Sequence, residues 1–92
     1  MYVTHWFLFM SEYRQGINAG MDAVAHPVFT SNEQISRSVP YFQGYVLGFG
    51  YQQIQMIGRE AARQKTLALI DQFPTFIPYL HQQLKSLGFV EH

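Results

Sequence analysis

The side chains that most often perform catalysis or bind metal ions are thinly spread in this sequence. Its four histidines are His5, His26, His81 and His92. None is placed among other ligands in a way that suggests a metal site, which needs several converging groups. No pair of carboxylates stands out for general acid–base catalysis. The acidic residues are Glu12, Asp22, Glu33, Glu60, Asp71 and Glu91.

Motifs for nucleotide binding and nucleophilic catalysis are also missing. The lack of cysteine excludes disulfide bonds, thiolate zinc sites and thiol nucleophiles. The glycines from Gly44 to Gly50 have no Lys-Ser/Thr pair and no preceding strand, so they do not form a phosphate loop. No serine lies in a nucleophile elbow. We therefore expect a protein that is not an enzyme and binds no cofactor and no metal ion.

Basic and aromatic residues offer a binding chemistry instead. Arg59 and Arg63 share a helix face, and Lys65 is nearby. Beside Tyr51 they could contact RNA phosphates and stack a base. The same residue types are favoured at protein interfaces. A third interpretation is a solvated face, because Glu60 stands among the arginines.

Composition narrows the classes of protein. Apolar residues make up 48% of the chain, which suffices for a core and excludes a disordered chain. Charged residues make up only 13% and the net charge is zero. A neutral chain lacks the basic patch of a dedicated duplex binder. Little self-repulsion keeps copies apart, so association with itself or with another protein is favoured.

The first ten residues form an apolar segment that precedes the main helical pattern. This segment lacks the basic start and cleavage site of a signal peptide and is too short to cross a bilayer. We therefore expect a cytoplasmic protein with no membrane contact. Residues 1–10 are either a strand-like arm that packs Trp6 and Phe7 on the core or a leader that is not native, with the natural start at Met10. Residues 11–92 form a single helical domain.

Periodicity predicts an all-α fold of three to four helices. The first helix should run from Ser11, its N-cap, to Ala25, where His26-Pro27 ends it. Within the connection that follows, Ser31–Gln34 could form one helical turn. Ser38 then caps a second helix that has Pro40 in its first turn.

The second helix, Tyr41–Ile57, is apolar on two faces, which indicates either a central position or a face against a partner. Gly50 and Gly58 are possible kink points, and continuity into a third helix over Arg59–Gln72 is left open. A last helix is expected over Thr75–Leu87, with Gly88 as its C′ residue and Phe89 or Val90 closing on the last turn.

Small residues at helical spacing are the strongest signal. They are Gly16, Ala19 and Gly20 in the first helix, and Gly44 and Gly48 in the second. A glycine inside a helix costs about 1 kcal/mol relative to alanine, so close backbone approach should offset that cost. We predict an antiparallel helical hairpin with the glycine faces opposed. In the competing interpretation, one glycine groove receives a helix from another chain.

Two of these segments resemble a known family. Gly16–Gly20 (GINAG), a proline-containing connection and Tyr41–Tyr45 (YFQGY) resemble ribosome modulation factor over about residues 13–49. That small bacterial protein has a comparable Gly-x-x-Ala-Gly segment and, after a similar interval, an aromatic-x-x-Gly-aromatic segment. The resemblance implies a two-helix core and ribosome binding. The family is strongly basic, whereas this chain is neutral.

Together these patterns predict a small helical protein-interaction module. It would be a regulator or inhibitor that binds a larger protein, such as an accessory protein of a phage or bacterial mobile element, or it would self-associate, for instance as a homodimer. The alternative, from the resemblance, is a ribosome- or RNA-associated factor. The expected contact residues are Leu47, Gly48, Tyr51 and Ile54, with Arg59 and Arg63 at the rim.

Overall fold

The fold is all-α, as predicted, in a computed structural model that describes residues 2–22 and 39–90. No strand occurs in these two ranges. None of the described helices combines the length and hydrophobicity needed to cross a membrane. The elements are α1 (Tyr2–Asp22), α2 (Val39–Ile57), α3 (Arg59–Asp71), a 3₁₀ helix (Pro74–Tyr79) and α4 (His81–Leu87).

Helix α1 begins much earlier than the sequence pattern indicated. Residues 2–9 are helical and continuous with the rest of α1, so the strand-like conformation expected for the arm is wrong. Ser11 is therefore an interior residue and not an N-cap, and its Oγ accepts a bond from Gln15 Nε2 at 3.4 Å. No proline interrupts α1, so nothing in its sequence forces a boundary at Ser11.

Several other predictions lie outside the described residues. They are the packing of the Trp6 and Phe7 side chains, the helix end at Ala25 and His26-Pro27, the turn at Ser31–Gln34 and the cap at Ser38.

The predicted packing of the first helix on the second is confirmed, and glycines allow it. A Cβ atom on Gly16 would overlap the carbonyl oxygen of Tyr41, and one on Gly20 would overlap that of Tyr45. Reciprocally, a Cβ on Gly44 would overlap the Tyr13 oxygen, and one on Gly48 would overlap the Ile17 oxygen. All four glycines are buried. The two backbones therefore touch through both glycine pairs.

The order of these contacts corrects the predicted antiparallel direction. Gly16 lies against Tyr41 and Tyr45, whereas Gly20, one turn later, lies against Tyr45 and Phe49. Later residues of α1 thus meet later residues of α2, which requires the helices to run in the same general direction. The connection to Val39 is long enough for this arrangement, because an extended chain advances about 3.3 Å per residue and a helix only about 1.5 Å.

The opposite side of α2 packs into an aromatic core. Phe42 is fully buried, with its ring centroid 4.6 Å from that of Phe76 and 5.4 Å from that of Phe73. Burial raises the pKa of the neighbouring Tyr45 phenol well above its usual value, and the charge of Tyr41 adds to the effect. Of the two sequence interpretations of α2, the structure supports a central helix covered on two sides.

Glycine and proline determine where the helices after α2 begin and end. Gly58 has φ 87° and ψ 165°, a conformation nearly restricted to glycine, so α2 and α3 are separate helices. In contrast, α2 continues through Gly50. The single last helix predicted over Thr75–Leu87 is wrong in its first half, where the chain forms the 3₁₀ helix. Pro78 has no N–H to donate, so α-helical bonding resumes only at His81.

Two buried polar side chains stand out in the packed interior. Thr66 is 0% exposed and Gln83 is 8% exposed. Neither Thr66 Oγ1 nor Gln83 Oε1 has a hydrogen-bond partner among the described residues. A buried polar atom without a partner lowers stability by about 1–3 kcal/mol.

The close contact of α1 with α2 at Gly16, Gly20, Gly44 and Gly48 is here called the glycine crossing. It predicts a change in stability opposite in sign to the one that helix propensity predicts. Gly44→Ala should lower the free energy of unfolding by about 3 kcal/mol or more, because its methyl group would collide with the α1 backbone. Helix propensity alone would instead raise it by about 1 kcal/mol. Urea denaturation followed by circular dichroism measures the change. Asn18→Ala at an exposed α1 position is the control and should change little; a more stable Gly44→Ala would contradict the close crossing.

The buried threonine gives a second prediction. Thr66→Val should raise the free energy of unfolding by about 1 kcal/mol, because it removes an unpartnered hydroxyl and keeps the side-chain shape. Thr66→Ser, which keeps the hydroxyl and loses the methyl group, should lower it by about 1 kcal/mol. Thermal denaturation of the three proteins provides the comparison. Destabilisation by valine would show that the hydroxyl is hydrogen-bonded.

Candidate interaction surface

One side of α2 is only partly covered by the rest of the described chain. Leu47, Tyr51 and Ile54, here called the α2 surface, recur at helical spacing on that side. Tyr51 is 54% exposed, whereas Leu47 and Ile54 are half-buried and pack against the core at their inner edges. The structure thus brings three of the four predicted contact residues of α2 together as an amphipathic patch.

Gly48, the fourth predicted contact residue, lies elsewhere. It is buried against the backbone of Ile17 at the helix crossing, so it cannot contact a partner. The predicted helix-packing residues Gly16, Gly20 and Gly44 lie at the same crossing. Ala19 is half-buried and packs against the core.

The α2 surface extends to the 3₁₀ helix, which sequence reasoning missed. Gln43, one turn before Leu47, donates a hydrogen bond from Nε2 to the carbonyl oxygen of Tyr79 at 2.7 Å. Tyr79 is itself 53% exposed. A second exposed tyrosine is therefore held near one end of the α2 surface.

The segment Gly88–Val90, here called the C-terminal turn, packs against α2 near Gly50. Gly88 has φ 77°, and its N–H donates to Lys85 O at 3.0 Å. The Phe89 N–H donates to Leu84 O at 2.9 Å, which completes a Schellman motif. The predicted C′ glycine and the closing role of Phe89 are thereby observed. This motif reverses the chain and returns Phe89 to α2.

Gly50 provides the contact point for that return. A Cβ atom at Gly50 would lie 2.5 Å from Leu87 Cδ1 and 3.3 Å from Phe89 Cε2. Gly50 is thus a packing site for α4 and the C-terminal turn. The available sequence signal was its position off the stripe formed by Gly44 and Gly48, which indicates a second close approach on another side of α2.

Two arginines from α3 lie against the C-terminal turn. Arg63 Nε donates to the Phe89 carbonyl oxygen at 3.2 Å. The Arg59 guanidinium lies beside Gly88, with its Cζ 3.6 Å from the position that a Cβ atom would take there. The C-terminal turn therefore connects the predicted rim residues to α2, because Phe89 contacts both Arg63 and the Gly50 region.

Between α3 and the turn lies an open depression of about 510 Å³, here called the arginine depression. Arg63 forms a loose ion pair with Glu60 at 3.8 Å, and their side chains are 43% and 76% exposed, so the pair contributes little to stability. The Arg59 side chain forms no hydrogen bond or ion pair with the described part of the chain. The residues that line the arginine depression are Arg59, Glu60, Arg63, Gly88, Phe89 and Val90.

This arrangement is suited to recognition. Among the side chains that the structure describes, in residues 10–22 and 39–90, no group of three or more metal-binding side chains comes together. Lys65 is exposed on α3 and does not line the arginine depression. An exposed tyrosine, two aliphatic neighbours and two guanidinium groups are the chemistry that protein surfaces use for binding.

Comparisons with protein-family models, curated proteins and solved structures found no match.

Proposed function

We propose that this chain is a small, non-enzymatic, cytoplasmic protein-interaction module that binds a larger protein through the α2 surface and the arginine depression. The observation that carries the proposal is the exposure of Tyr51 between half-buried Leu47 and Ile54, on the helix that Phe89 of the C-terminal turn joins to Arg63. Tyrosine and arginine dominate the binding energy of many interfaces.

Rigidity of the surface supports this proposal. Helix α2 is held by the glycine crossing on one side and by the aromatic core on another. The C-terminal turn is closed by two backbone hydrogen bonds and tied to Arg63. A partner would therefore meet a surface that is already ordered, which reduces the conformational entropy lost on binding.

The experiment described below distinguishes the protein partner from two other occupants of the α2 surface. A second copy of the chain could occupy it, since a net charge of zero gives little self-repulsion. The ribosome- or RNA-associated alternative, from the resemblance over about residues 13–49, would use Arg59, Arg63 and Tyr51. Its binding should weaken steeply with salt, because phosphate contacts release counterions.

The experiment begins with affinity capture by the tagged full chain from a bacterial lysate, with and without ribonuclease. A captured protein is then purified and its affinity measured by titration calorimetry. Tyr51→Ala should weaken binding by about tenfold or more while the circular dichroism spectrum stays unchanged, because it removes an exposed anchor. Met21→Ala, at an exposed apolar position on α1, is the control and should leave the affinity unchanged.

The outcomes separate the three occupants. A stoichiometric protein that survives ribonuclease and depends on Tyr51 supports the proposal. Ribosomal proteins that disappear with ribonuclease would replace it by the RNA alternative. A dimer that Tyr51→Ala dissociates, measured by light scattering, would identify the second copy. Equal affinity of wild type and Tyr51→Ala would remove the α2 surface from the binding site.

A further inference from the structure

We propose that the arginine depression receives a carboxylate side chain of the partner, so the partner's docking segment is acidic with an apolar neighbour. This inference rests on the proposed function and names the chemistry of the partner. Three observations carry it: the orientation of Arg63, the lack of a carboxylate for Arg59 among the described residues, and the charge of the lining.

Arg63 is oriented before any partner binds. Its Nε is used by the Phe89 carbonyl oxygen, which holds the plane of the guanidinium beside the C-terminal turn. Within the described part of the chain, its terminal nitrogens have just one contact, the loose one with Glu60 at 3.8 Å. Fixed guanidinium groups bind carboxylates through paired N–H donors, and prior orientation reduces the entropy lost.

Arg59 supplies a charge that no described carboxylate compensates. Its guanidinium lies against Gly88, where the absence of a side chain leaves room beside it. Among the described residues it has no carboxylate, carbonyl or hydroxyl partner. A carboxylate entering the depression would therefore form an ion pair with Arg59 without displacing one made by the described residues.

The sum of charges favours a carboxylate over a phosphate. Two guanidinium groups and the Glu60 carboxylate give the lining a net charge of about +1. One carboxylate neutralises this charge, whereas a phosphate monoester, which carries about −1.5 to −2, would leave an excess negative charge beside Glu60. The volume of about 510 Å³ accommodates one side chain and part of its flanking segment.

The location of the depression predicts what flanks the carboxylate. Phe89 lines the depression and also contacts the Gly50 region of α2, which adjoins Leu47 and Ile54. A single partner segment can therefore place its acidic group on Arg59 and an aromatic or aliphatic group on the α2 surface.

The test uses a random-sequence peptide library displayed on phage and selected against the immobilised full chain at low salt. Peptides retained by wild type should contain Asp or Glu close to an aromatic or aliphatic residue. Replacing that acid by its amide, or introducing Arg59→Gln, should each weaken binding by about tenfold or more, measured by fluorescence anisotropy. Combining the two changes should cost little more than either alone, because they break the same ion pair.

Lys65→Gln is the matched control, since it removes one positive charge from α3 outside the depression and should have a small effect. Selected peptides without acids, or additive effects of the two changes, would overturn the inference. If those peptides still require Tyr51, the proposed function survives. Displacement by inorganic phosphate but not by succinate would also overturn the carboxylate. Failure to select any peptide that depends on Tyr51 or Arg59 would contradict both proposals.

Discussion

Where α1 crosses α2, the carbonyl oxygens of Tyr13 and Ile17 occupy the space that a side chain on Gly44 or Gly48 would need. This backbone contact covers one side of α2. The aromatic core formed with α3, the 3₁₀ helix and α4 covers another. The exposed side of α2 is what these two sides leave open, and Leu47 and Ile54 on it also pack against the core. The glycine crossing thus determines which residues can meet a partner.

Much of this fold follows from the sequence, because glycine spacing and apolar periodicity report local geometry. The opposed glycine faces and the two buried sides of α2 could be predicted, but the relative direction of α1 and α2 could not. Two glycines four residues apart form the same stripe when a helix is reversed, and the expectation of a hairpin assumed a short path between helices. The predicted N-cap at Ser11 was wrong because a residue that favours an N-cap is also tolerated inside a helix. The effect of Pro78 could be anticipated, since it lies in the interior of the helix predicted there.

The candidate site could also be predicted only in part from the sequence. Tyr51, Arg59 and Arg63 were found because their residue types favour binding and their positions follow helical spacing. Gly48 was assigned to the same surface because a helical wheel does not show which side another helix will cover. The C-terminal turn was recognised only as a helix end. Its contact with α2 depends on Gly50 and Phe89, which are far apart in sequence and meet only through tertiary packing.

The shared direction of α1 and α2 also has an electrostatic consequence. In an antiparallel pair the helix dipoles cancel, whereas here they add, and both carboxyl ends lie toward the same end of the pair. Each end carries about half a negative charge, and neither helix has a basic residue in its last turn. Asp22 adds a full negative charge at the last residue of α1. The dipoles of α1 and α2 therefore reinforce each other along this axis, a contribution to the electric field of the chain that an antiparallel pair would lack.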